Sequence, residues 1–222
     1  MPPKLRWSQS KKQYRDPSSC RFISNDEALR DARASAAIDE DILDSLADQM
    51  LNGELSVQQW GQAFRENLKR ISIRQYSLGR GGVAQLDSED YGSIGQNLKE
   101  QYGLFKGFYA DVLEGNLTPA QIKARSRQYA NATRVLYEAG KGAAHEIVLP
   151  ALPGDGSTSC HEGDKCSWRI EVRKTRDTLA YWELDNAEHC PECLQRSRKW
   201  YPLLYRDGEL LDGDVDDPRL YA

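Results

Sequence analysis

Four of the chain's five cysteines fall within one stretch, "SCHEGDKCSWRIEVRKTRDTLAYWELDNAEHCPEC", which runs over residues 159–193. They stand as two pairs, Cys160-x5-Cys166 and Cys190-x2-Cys193, with 23 residues between them. Thiolates offered in close pairs from tight turns are the ligand set of a tetrahedral S4 zinc site. Between the pairs, "CSWRIEVRK" and "TLAYWEL" alternate as strands do, with Trp168, Ile170 and Val172 inward, then Leu179, Tyr181 or Trp182, and Leu184. "TRDT" supplies the turn of a hairpin that would bring the two pairs together. A segment of about 40 residues cannot build a sufficient core alone, and a structural metal makes up the deficit. The expected ligands are Cys160, Cys166, Cys190 and Cys193, with the adjacent His161 and His189 as rivals for one place. Other cysteine chemistry fits less well. A redox CxxC needs a βαβ setting that is missing. Four thiolates leave a catalytic metal no open position. A zinc-bearing HNH nuclease needs a histidine between its cysteine pairs, and residues 167–188 contain none.

The rest of the chain narrows the function classes. It has 222 residues, 39% hydrophobic and 29% charged, with 30 basic and 34 acidic side chains and a net charge of −4. That balance argues against a surface devoted wholly to nucleic acid. No apolar run approaches the roughly 20 residues that span a bilayer. The opening "MPPKLRWSQSKKQYRDPSS" is basic without an apolar core, so it does not read as a secretory signal. A chain made in a reducing cytoplasm uses clustered cysteines for metal before disulfides. Cys20 stands apart and reads as a free thiol, and lone His145 as a helix-end residue. "GRGG" (79–82) follows a helix and lacks the Lys-Ser/Thr of a phosphate-binding loop. No nucleophile–base pair with a motif around it is present, so no enzymatic activity is expected.

The elements that must position the cysteines divide the chain into five segments. Residues 1–23 read as an extended basic arm, on which Trp7 and Tyr14 are the expected anchors for a partner. Residues 24–145 read as a four-helix bundle of two αα-hairpins. The first helix is capped by Ser24 with Glu27 and ends at Gly53. The second is capped by Ser56, buries Trp60, Phe64, Leu68 and Ile71, and stops at "GRGG". The third spans roughly Ser88 to Leu113. The fourth opens with Thr118-Pro119 and ends near Gly140. An internal echo supports the pairing: "LNGELSVQQW" (51–60) and "LEGNLTPAQI" (113–122) share Leu-x-Gly-x-Leu-[Ser/Thr]-x-x-Gln-apolar. In both, glycine takes the left-handed helix end and the hydroxyl residue caps the next helix. A Pro/Gly linker (146–158) then leads to the zinc-ribbon-like segment (159–205) and an acidic tail (206–222). The expected fold class is mainly α, a helical bundle followed by a small β-hairpin domain.

Several stretches together resemble a family of tailed-bacteriophage and prophage proteins from the virion structural gene cluster, the minor head or head morphogenesis-like proteins. They are "CRFIS", "GRGG", "QYGLFKGFYADVLEGNLTPAQIKARSRQYANATRVLYE" and, above all, "LPALPGDGSTSC…CSWRI…YWEL…AEHCPECLQRSRKW". The likeness covers most of residues 20–200. Family members commonly carry a further cysteine two residues before the position of Cys166, where this chain has Asp164, which joins His161 and His189 as a rival ligand. The resemblance implies a non-enzymatic virion or assembly protein of the head or head–tail region. Its partners would be portal, capsid or tail components, met in multiple copies per particle.

A second function competes. Arg169, Arg173, Arg196, Arg198 and Lys199 surround the cysteines with Trp168 and Trp200 nearby, a set that suits phosphate contacts in a zinc-ribbon protein of DNA packaging or regulation. Glu171, Asp177, Glu183, Asp185 and Glu188 dilute that patch.

Overall fold

The computed structural model describes residues 14–15, 22–23, 25–160, 166–173 and 177–211. Trp7, Cys20, the cap Ser24, His161 and Asp164 lie outside the described residues. Tyr14 falls in a short strand, β1 (Tyr14–Arg15), paired antiparallel with β2 (Phe22–Ile23). The molecule is mainly helical, with a four-stranded antiparallel sheet at its C-terminal end.

Helices α1 (Asn25–Leu51), α2 (Val57–Arg80), α3 (Ser88–Leu113) and α4 (Pro119–Ala132) follow the expected order. The echo has the physical basis its residues suggest. Gly53 and Gly115 both take positive φ, 78° and 70°. Ser56 and Thr118 each accept the N–H of the glutamine three residues on, whose side chain returns a bond to the cap residue's own N–H. Two orphan donors are satisfied at each start.

The bundle core is an aromatic nest. Trp60 and Phe64 of α2 meet Phe105 and Phe108 of α3 and Tyr129 of α4, with Phe64 stacked on Phe105 at 4.6 Å. Polar cross-links fix the register. Buried Asp39 on α1 accepts from Gln75 at 2.8 Å and pairs with Arg74 of α2. Asp90 receives the Tyr76 hydroxyl at 2.8 Å and Arg80 at 3.1 Å, tying α3 to α2. Burial, and then the Asp90 carboxylate, drive the Tyr76 hydroxyl well above the usual phenol range.

The expected fourth helix departs from its reading in two ways. It breaks at Thr133, whose hydroxyl bonds the Ala130 carbonyl at 2.7 Å and whose N–H bonds the same carbonyl at 3.1 Å. That tightened turn redirects the chain into α5 (Arg134–Ala144). The helix also runs past Gly140, because that glycine serves packing rather than termination. A Cβ on Gly140 would lie 2.3 Å from the Tyr76 carbonyl oxygen, and one on Gly79 would lie 2.0 Å from that of Tyr137. The backbones of α2 and α5 therefore touch, and only glycine fits on either side. The helix ends instead where Ile147 N–H returns to the Gly142 carbonyl at 3.1 Å, with Glu146 at a positive φ of 56°.

Residues 146–158 then run along the sheet. Ile147 is buried in its core, and the carbonyls of Val148 and Ala151 accept the Tyr205 hydroxyl and the Trp168 indole N–H, both at 2.9 Å. Strands β3 (Ser167–Val172) and β4 (Thr178–Glu183) form the expected hairpin, with Trp168 opposite Trp182. Helix α6 (Pro191–Lys199) follows, and then two strands that extend the hairpin, β5 (Leu203–Arg206) and β6 (Glu209–Leu210). The last pair turns through Asp207 and Gly208, both at positive φ (50° and 84°), as a tight two-residue hairpin requires. Between Tyr181 and Trp182, it is Trp182 that enters the core with Trp168, Ile170 and Ala180. Leu179 and Leu204 bury themselves on the opposite face beside Tyr181 and Leu211. Among the described residues no helix is long and apolar enough to cross a membrane.

Candidate metal centre

Cys160 lies in the loop that passes over the sheet, two residues after the buried Thr158. Cys190 is the N-cap of α6, with Pro191 in the first turn, and Cys193 lies inside that turn, fully buried. The extended backbone at Cys190 and the fixed φ of Pro191 swing the chain into the helix so that both sulfurs face one side. The sulfurs of Cys160, Cys190 and Cys193 all lie within 4.8 Å of one another. Zinc–sulfur bonds of about 2.3 Å imply sulfur–sulfur separations of about 3.8 Å in a tetrahedron, so a small inward closure completes the fit. Three cysteines are thus close enough to bind a metal ion.

The surroundings hold this geometry. Ser159 donates to Glu192 at 2.6 Å, pinning the loop to α6 beside the thiols. That bond is the main cause that pulls the Glu192 carboxyl down to about 2. Burial pushes the Cys160 thiol up. At Cys190 burial acts the same way, but the backbone N–H of Cys193 and the Cys160 thiol outweigh it and leave the group below the usual thiol range. A lowered thiol at a helix N-terminus favours the thiolate that a metal needs.

Cys166 is placed differently. It is buried just ahead of β3, and its sulfur lies 3.6 Å from His189 Nδ1. The opposite ring nitrogen, Nε2, donates to the Asp185 carbonyl at 2.6 Å, so in the neutral ring Nδ1 carries the free lone pair. A histidine fixed this way by a carbonyl is oriented as metal-binding histidines are. Cys166 and His189 therefore sit side by side, and neither belongs to the group of three converging sulfurs.

The five basic residues meet different neighbours. Arg169 pairs with Glu183 and Glu171 and lies over the Tyr181 ring at 3.9 Å. Arg196 bonds Ser157 and rests 5.1 Å from the rings of both Trp182 and Trp200. Arg173 stands at the hairpin end, its N–H bonded to the Asp177 carbonyl at 2.8 Å. Arg198 and Lys199 are exposed on α6 beside Pro191, Leu194 and Gln195. Sequence reasoning missed Ser159 and Glu192, whose meeting depends on a loop path that spacing does not reveal. It also missed the stacking of Trp200 on Trp168 at 5.7 Å. The tryptophan just past "QRSRK" was the available signal. No protein-family model, curated protein or solved structure matches the chain.

Proposed function

We propose that this chain is a non-enzymatic structural protein of a tailed-bacteriophage virion, in the head or head–tail region, with one structural Zn2+. The convergence of the Cys160, Cys190 and Cys193 sulfurs carries the metal part of this reading. The ion joins the loop ahead of β3 to the start of α6 and so closes a domain whose apolar core is thin. Cys166 supplies the fourth thiolate and His189 packs against it. The virion part rests on the resemblance carried by "LPALPGDGSTSC…CSWRI…YWEL…AEHCPECLQRSRKW". The aromatic arm, with Trp7 and Tyr14, is the segment that engages portal, capsid or tail neighbours.

Two measurements test the proposal together. Freshly purified, reduced protein should hold about one zinc per chain, and its Co2+ derivative should show the absorption of an all-thiolate tetrahedral site. A Co2+ spectrum with one nitrogen donor would move the fourth position from Cys166 to His189. Purified particles should contain the chain, and removing residues 1–23 should block its incorporation. Absence from particles combined with tight, salt-sensitive DNA binding through Arg198 and Lys199 would replace the structural role with a nucleic-acid-binding one.

A further inference from the structure

Two charged side chains are buried where the bundle meets the sheet. Glu138 and Lys141, one turn apart on α5, are 4% and 6% exposed and lie 3.1 Å from each other. Their remaining bonds converge on a single residue of β3. Glu138 Oε2 accepts the main-chain N–H of Trp168 at 3.2 Å, and Lys141 Nζ donates to the Trp168 carbonyl. β3 is the outermost strand of its sheet, so these are bonds that a further strand would otherwise make. A buried ion pair costs desolvation and rarely adds net stability over an apolar pair. This one supplies what an apolar pair cannot, a donor and an acceptor for one exposed peptide edge.

Both ends of the contact are closely packed. α5 lies directly against α2, with the Gly79 and Gly140 backbones in contact. Trp168 is joined to the thiols by two short routes. Cys166 lies two residues before it in the chain. Its ring also stacks on Trp200, the residue that ends α6, and α6 carries Cys190 and Cys193. The Trp200 carbonyl in turn accepts the N–H of Trp182, whose ring meets Trp168 edge-on at 5.2 Å.

We infer that metal binding at the cysteines and seating of the sheet on α5 are one coupled equilibrium, with Trp168 as the joint and Glu138 and Lys141 as positioning residues. The inference rests on the metal reading above. Coupling of this kind is reciprocal: whatever factor the metal contributes to seating the sheet, loosening the seat takes from metal affinity. The bonds of Lys141 and Glu138 go to Trp168 and to each other rather than to a sulfur, so a purely local metal site would not depend on them.

The test uses the full chain. Zinc affinity is measured by competition with a chromophoric chelator for the wild type, Lys141→Met, Glu138→Leu and Glu138→Gln. Amide exchange across α5 is compared in metal-loaded and chelator-treated wild type. Lys141→Met and Glu138→Leu should each weaken zinc binding about tenfold. Glu138→Gln, which keeps an acceptor for Trp168 N–H, should recover most of the loss. Chelation should speed exchange in α5 while α3 stays protected. Wild-type zinc affinity in folded Lys141→Met and Glu138→Leu overturns the coupling alone. So does unchanged α5 exchange after chelation, which decides the matter even if a variant fails to fold. A wild-type chain that takes up no zinc overturns the metal reading and the coupling with it.

Discussion

The bundle and the sheet solve the same problem with different means. The bundle buries aliphatic and aromatic side chains from five successive helices around Trp60, Phe64, Phe105 and Phe108, and every helix start from α2 to α4 is closed by its own capping box. The sheet has Trp168 and Trp182 buried at its centre, with Trp200 packed against them, and beside them the four thiols. In the first region stability is spread over many local, repeated choices. In the second it is concentrated in a few residues, so a single loss should remove most of the order. The three sulfurs close enough to hold a metal lie in the second region, where layers of apolar side chains run out.

The largest test of that contrast is a cysteine. Cys193→Ser should abolish zinc uptake and the near-ultraviolet signal of the packed tryptophans, while far-ultraviolet circular dichroism keeps most of its helical amplitude. Loss of the whole helical signal would erase the distinction between the regions. Within the bundle, Phe64→Ala should cost about 3–5 kcal/mol in denaturant unfolding, because it opens a cavity among four rings. Zinc stoichiometry should not change. Gly140→Ala should cost about 1–3 kcal/mol through overpacking against the Tyr76 carbonyl, and it is the bundle substitution expected to reach the sheet, since α5 must move. Thr118→Ala should cost about 1 kcal/mol, and Ser56→Ala a similar amount, as two copies of one capping device should. Thermal melts of the two variants would check the equality, and a difference of several-fold would show that the echo is superficial.

Helix positions were legible because their signals are local. Ser56 with Gln59, Thr118 with Pro119 and Gln121, and the α2 stripe all act within one or two turns. The convergence of Cys160 with Cys190 and Cys193 was legible by residue type and spacing. The break at Thr133 was not, because it depends on where α5 must lie to touch α2, and no residue near 133 announces that crossing. Gly140 was read as a stop because glycine usually marks one, whereas here the partner backbone of α2 decides its role. The third and fourth strands were hidden by charge: "YRDGEL" reads as the start of an acidic tail, yet Asp207-Gly208 is also a hairpin turn. The division of labour between Cys166 and the other three cysteines depends on the fold of the loop over the sheet. Nothing in the sequence singles out Glu138 and Lys141, three residues apart, and it is the arrival of β3 that gives them a shared partner.

The margins of the sheet bear on how the chain behaves when crowded. A free strand edge is a template on which another chain can add itself, and repeated addition leads to aggregation. Here β6 is two residues long and carries Glu209, so that side offers little to pair with. On the other side, side chains from α5 occupy the peptide groups of Trp168. Copies meeting at the described margins of this sheet would thus find little open edge along which to zip, and association there would have to be set by side-chain surfaces, which can be chosen by sequence, rather than by backbone pairing, which cannot.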